Sequence, residues 1–222
     1  MTLEELIQQV RVAADDLVEP YFWSDEVIAG WLNDAQEEAA IRARLLHESD
    51  NSAVCQLKVK TGKASYPLHA ALYEIDHIAF NRDGLYRAQP IKLVSGEALD
   101  RMMPEWRTEE GDPEYAIQGD TGLRLVPRPN EPGVVSLEGY RLPLSSMDTG
   151  SDEPEINAVH HRHLVHWALY RAFSVPDAEV FDPQRAQAAE ASFIRYFGQR
   201  PDADLRRLTR EDVQHHVQPF WP

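Results

Sequence analysis

The sequence has a single cysteine, Cys55, in 222 residues. One thiol excludes an internal disulfide framework and a cysteine-rich zinc site. Cys55 sits in an apparent strand at 54–59, where a small buried hydrophobe is expected. No apolar run reaches the roughly 18 residues of a membrane span, so no membrane partner is expected. Lysine is scarce. Only Lys58, Lys60, Lys63 and Lys92 occur among 22 basic residues, against 37 acidic ones, for a formal net charge of −15. Phosphate binding needs clustered positive charge, so this balance disfavours a protein that grips nucleic acid. The start, Met1-Thr2-Leu3-Glu4-Glu5, is acidic where a secretion signal would be basic, and it reads as a mature N-terminus.

Motifs for chemistry are missing too. There is no Gly-x-Gly-x-x-Gly, no phosphate-binding loop and no Gly-x-Ser-x-Gly elbow. The pairs Asp15-Asp16, Glu37-Glu38 and Glu109-Glu110 are adjacent, and neighbours on a helix diverge by about a quarter turn, so they make no acid/base pair. The exception is His160-His161-Arg162-His163, followed by His166. Spacing of three places His160 with His163, or His163 with His166, on one helix face, and zinc accepts such imidazole pairs. The metalloprotease order His-Glu-x-x-His is absent. Histidines satisfied in a core or at an interface are the simpler reading, and there they would titrate near neutral pH. No cofactor is expected.

Periodicity is clear at both ends. Leu3, Leu6, Ile7, Val10, Ala14 and Leu17 predict an amphipathic helix over about 2–18, capped by Thr2. Ser24 opens a second, with a stripe of Val27, Ile28, Trp31, Leu32, Ala35, Ala39 and Leu46. Tyr21-Phe22-Trp23 between them reads as a connector plug rather than a base-stacking platform. From 54 to 140 short strands alternate with turns, at 54–60, 64–68, 75–80, 85–86, 91–93, 114–118, 122–126 and 134–140, with a short helix at 95–103. A loop over 141–154 ends at Pro154, and helices follow at 155–173 and from Pro183 to Gly198.

This order predicts an α+β fold, in which an N-terminal helix pair (1–50) and a C-terminal helix pair (151–198) form a helical bundle with an inserted small antiparallel β domain (51–150). Residues 199–222 read as an extended arm. It carries Arg206, Arg207 and Arg210 and ends in Phe220-Trp221-Pro222. Arginine and tryptophan are favoured interface anchors, which suits a docking arm; packing on its own domain, or fraying, is the alternative.

Several blocks together resemble the head-to-tail adaptor (connector) proteins of tailed phages. Trp23-Ser24-Asp25 leading into Leu32-Asn33-Asp34-Ala35-Gln36 resembles the family's opening helix. Gly122-Leu-Arg-Leu-Val-Pro-Arg-Pro129 followed by Val135-Ser-Leu-Glu-Gly-Tyr-Arg-Leu-Pro143 resembles its paired strands. His163-Leu-Val-His-Trp-Ala-Leu-Tyr-Arg-Ala172 and Asp182-Pro-Gln-Arg-Ala186 with Phe193 resemble its last two helices.

The resemblance implies a non-enzymatic virion protein of the head-tail neck, assembled in the host cytoplasm. It implies a ring, commonly of about twelve copies, bound below the portal protein. Such a ring extends the DNA channel and offers tail or nozzle proteins a seat, while DNA passes without specific binding. Arg206, Arg207, Arg210, Phe220 and Trp221 are then candidates for the portal interface. Asp15, Asp16, Glu37 and Glu38 are candidates for a lumen-facing acidic wall that keeps DNA from sticking. Competing expectations are another neck or tail-completion protein, a metal-dependent hydrolase using His160, His163 and His166, and an acidic DNA mimic.

Overall fold

Helix α1 (Leu3–Ala14) begins with a reciprocal cap. The Glu5 amide donates to the Thr2 hydroxyl and the Thr2 amide donates to the Glu5 carboxylate. Its next free donors, the amides of Leu3 and Glu4, bond the carbonyls of Asp152 and Gly150 at 2.7 and 3.0 Å. The helix stops where Asp15 turns left-handed (φ 63°). That stop ends the predicted stripe early: Leu17 lies beyond the helix and is exposed.

A computed structural model describes residues 1–84, 87–176 and 180–201. After α1 come α2 (Asp25–Ala43), β1 (His47–Glu48), the helical turn α3 (Ser52–Cys55), β2 (Gln56–Val59), β3 (Ser65–Pro67), β4 (Leu72–Arg82) and β5 (Gln89–Leu93). Then follow α4 (Gly96–Met102), β6 (Glu110–Gly111), β7 (Tyr115–Gln118), β8 (Gly122–Val126), β9 (Arg128–Pro129) and β10 (Gly133–Arg141). A 3₁₀ turn (Ala158–His160), α5 (His161–Phe173) and α6 (Pro183–Phe197) complete the order. The chain is α+β, with six helices among the described residues and a large, curled mixed sheet. No described helix is long and apolar enough to cross a membrane. The expected strand at 85–86 lies outside the described residues.

The chain divides into two compact units, residues 1–47 with 140–200, and residues 48–139. In the first, α1, α2, α5 and α6 share a core built on Leu6, Ile28, Leu32, Leu164, Ala168 and Phe193. The serine- and aspartate-rich stretch from 141 to 157 is fastened to these helices. Asn33 accepts from the Met147 amide and donates to the Met147 carbonyl, at 2.8 and 3.1 Å, and Met147 is buried in the core. The Glu155 amide donates to the Gln36 side chain, and the Glu155 carboxylate pairs with Arg141. These bonds hold 155–157 out of the helix predicted to begin there. Asn157 caps the 3₁₀ turn instead.

In the second unit the core is Ile75, Ile78, Phe80, Leu123, Leu125 and Leu137 with their neighbours. Its strands run in the order β10-β4-β5-β7-β8-β3, with β2 also on β10. With β1, whose two residues straddle the unit boundary, the sheet has eight strands. The expectation of a small antiparallel insert is corrected in two ways: the sheet is large, and β5 pairs parallel with β7, Leu93 opposite Ala116, as β6 does with β9. A parallel pair needs a long crossover. The stretch holding α4 supplies it, with Leu99, Trp106 and Val126 forming a separate small core. Gly133 and Gly139 let β10 pass tight against β4, since a Cβ on Gly139 would collide with the Glu74 carbonyl. Cys55 is buried in the α3 turn, not in a strand, because Asn51 accepts from the Ala53 amide and starts a helical turn first.

Candidate interaction surfaces and the histidine cluster

The connector between α1 and α2 is organised by a buried cation. Arg11 is 2% exposed. Its guanidinium bonds Asp16 at 2.8 Å, Asp25 at 2.6 Å and the Trp23 carbonyl at 3.0 Å, and lies 3.8 Å from the Tyr21 ring centre. Asp16 also accepts from the Phe22 amide at 3.0 Å. Trp23 therefore turns inward, its ring 5.9 Å from Trp31 and 6.2 Å from Phe173. Only Trp23 plugs the connector; Tyr21 and Phe22 stay exposed.

This arrangement separates the four candidate wall carboxylates. Asp16 is buried against Arg11 and presents no charge to solvent, because its oxygens are used inside the fold. Glu38 is half-buried and bridges Arg42 and Arg200, each at 3.0 Å. Asp15 and Glu37 are exposed. Burial, then the nearby Asp34 and Glu38 charges, raise the Glu37 carboxyl above its ordinary value. A half-open recess of about 330 Å³ beside α1 and α2 has Leu3, Ile7 and Ala29 in its lining and Glu4, Asp25 and Glu26 among its charged groups.

The histidines are brought together, but against aromatic rings. His163 stacks on Tyr196 with ring centres 3.4 Å apart and planes 14° apart. His160 Nδ1 lies 3.2 Å from the Tyr196 hydroxyl, and the His163 and His166 rings are 6.0 Å apart. Burial lowers the basicity of His163, aided by His160 and Arg162. Burial, then His163 and Arg195, do the same for His166. His161 faces elsewhere: its Nδ1 accepts from the Met1 amino group and its Nε2 donates to the Ile156 carbonyl, both at 2.9 Å. Among the described residues no group of three or more His, Cys, Asp or Glu side chains is placed to hold a metal ion. The expected arm residues Arg206, Arg207, Arg210, Phe220 and Trp221 lie outside the described residues.

Sequence reasoning missed two surfaces. One is the connector end of the helical unit, where α1, α5 and α6 meet around Ala14, Phe173 and Ala186. Arg185 ties this end together, donating to the Ala13 carbonyl at 2.9 Å and covering Phe173. Leu17, Val18, Tyr21, Phe22, Val175 and Phe181 are all exposed there, Val18 at 79%. The other is the end of β2 with the turn that leads to β3: Lys58 is exposed on the strand, and Lys60 and Lys63 on the turn. The buried Tyr66 hydroxyl accepts from the Lys60 amide at 3.0 Å and donates to the Lys63 carbonyl at 2.7 Å, and Gly62 adopts φ 74°. The only signal for the first was apolar residues that, unlike Leu17, fall outside the periodic stripes: Val18, Tyr21, Phe22, Val175 and Phe181.

A family model described as SU10 adaptor protein matches residues 1–216 of the chain. No curated protein matches it.

Proposed function

Since this chain belongs to the SU10 adaptor protein family, a family of phage head-to-tail adaptors, we propose that it works as a ring-forming structural subunit below the portal of a tailed phage. The near-full-length family match carries this reading. The four helices of the first unit are read as a bundle that holds the ring together, and the sheet as its insert. In this reading the ring continues the DNA channel and gives tail or nozzle proteins their attachment site in the neck, after assembly in the host cytoplasm. The protein is then a binder and spacer without catalysis.

Two features support assembly by surfaces. Apolar side chains stand exposed on a braced connector. Acidic charge prevails over basic, with a formal net charge of −15. Repeated around a ring, exposed carboxylates such as Asp15 and Glu37 would repel passing DNA. Arg206, Arg207, Arg210, Phe220 and Trp221 are proposed to dock on the portal, where multivalency offsets weak single contacts.

The test is negative-stain microscopy of the chain with a portal ring of its phage, with the full chain and with a chain ending at Gly198. The reading expects a second ring stacked coaxially under the portal, and weaker portal binding by the shortened chain. A chain that stays monomeric beside intact portal rings would overturn it.

A further inference from the structure

The two surfaces that the sequence did not announce are complementary. The connector end of the helical unit is apolar with an acidic edge: Asp15 and Glu19 are exposed and ion-paired to no described residue, and Asp25 is 66% exposed although it bonds Arg11. The cations beside it are already engaged, Arg11 inside the fold and Arg185 on the Ala13 carbonyl and Phe173. Two such ends brought face to face would set like charges against each other. A symmetric contact through this end is therefore disfavoured, and its partner must be basic.

The chain's lysines are clustered. Three of its four lysines fall at 58, 60 and 63. All three are exposed and none is ion-paired to a described residue, although the Lys63 ammonium lies 5.1 Å from the Tyr66 ring centre. Their turn is held in one shape by Tyr66, so little backbone freedom is lost on docking. Lysine also suits an apolar surface with an acidic edge: its four-carbon stem covers hydrocarbon while its ammonium reaches past it to a carboxylate.

We propose that the Lys58–Lys60–Lys63 turn of one copy docks on the acidic-edged apolar end of the next copy, Leu17, Val18, Tyr21 and Phe22 lying under the lysine stems and Asp15, Glu19 and Asp25 meeting the ammonium groups. The contact joins two different surfaces. It is therefore heterologous, the kind that closes a ring when the rotation allows. The inference rests on the ring reading above, and assigns the subunit contact within it.

Charge exchange in the full-length chain tests it. One variant, K58E/K60E/K63E, makes the turn acidic. The other, D15K/E19K, makes the connector end basic; Arg44 shows that a long side chain tolerates the left-handed shape Asp15 adopts. Circular dichroism confirms that both fold. Each variant alone should assemble at least about tenfold more weakly than the unaltered chain, in native mass spectrometry with and without the portal ring. An equimolar mixture should recover assembly, because alternating copies again set the acidic turn of one variant against the basic end of the D15K/E19K copy, and a basic turn against the unaltered acidic edge. The recovered rings should contain the two variants in equal numbers.

If the unaltered chain forms rings and either variant alone forms them as well, the lysine turn is not the contact and the inference fails while the ring reading stands. Assembly lost in both variants and not regained on mixing also overturns it, and points to another occupant of the apolar end, such as the portal. If the unaltered chain forms no ring under any of these conditions, the ring reading itself fails.

Discussion

The two units are held together by different physics. Every buried polar or charged residue among the described residues, namely Arg11, Asp16, Gln36, Arg141 and His161, lies in the helical unit. The buried residues of the β unit are mostly apolar, such as Phe80, Leu125 and Leu137, with the hydroxyl of buried Tyr66 bonded to the Lys60 and Lys63 backbone. Helices joined by irregular segments leave backbone donors and acceptors that a side chain can satisfy, and Asn33, Gln36 and Arg11 do so. Strands satisfy one another, which leaves side chains free to pack. The helical unit should therefore be sensitive to charge, and the β unit to volume.

The largest effect is expected from Arg11→Ala. It strands Asp16 in the core without its cation, a loss of about 3–5 kcal/mol in urea unfolding. A loss under about 1 kcal/mol, the scale of a surface pair, would break the comparison by showing that Arg11 contributes little beyond packing. Next is Gly139→Ala in the β unit. Its methyl group meets the Glu74 carbonyl, so β10 must shift away from β4, at about 1–3 kcal/mol, with no dependence on salt. A neutral result would show that the sheet gives way there.

The smallest effect is in pH. His163 and His166 are less basic in the fold than in the unfolded chain, whose histidines titrate near about 6.5. The unfolded chain then binds more protons, so stability falls as pH drops through that value, and falls further until the folded groups themselves protonate. The H163Q/H166Q variant should lose less between pH 7.5 and 5.5 in thermal unfolding. Equal slopes would mean that these two imidazoles protonate without cost.

Much of the order of elements was legible. The residues Leu3, Leu6, Ile7, Val10 and Ala14 fall at helical spacing, and all are buried. Strands β3, β7 and β8 fall within a residue of where alternation and turn residues put them. What escaped were features set by partners distant in sequence. Nothing local marks β7 as parallel to β5, because direction depends on the crossover between them. Nothing within α1 marks Arg11 as buried, because Asp16 and Tyr21 lie in the connector and Asp25 opens α2. The exposed Val18 and Phe22 could be recognised as surface only once α1 was seen to stop at Ala14. Of the expected site residues, Asp15 and Asp16 are adjacent yet have opposite fates, which sequence alone does not distinguish.

The concentration of lysine at the β2–β3 turn also decides which reagents can report on this protein in a particle. All four side-chain amines lie between residues 58 and 92. Amine-to-amine linkers would thus map mainly the neighbourhood of the β unit and reach the lysine-free helices only through the Met1 amino group. A carbodiimide, which fuses an amine directly to a carboxylate, reaches both. An isopeptide between peptides bearing Lys60 and Glu19 of different copies would record the subunit contact without imaging.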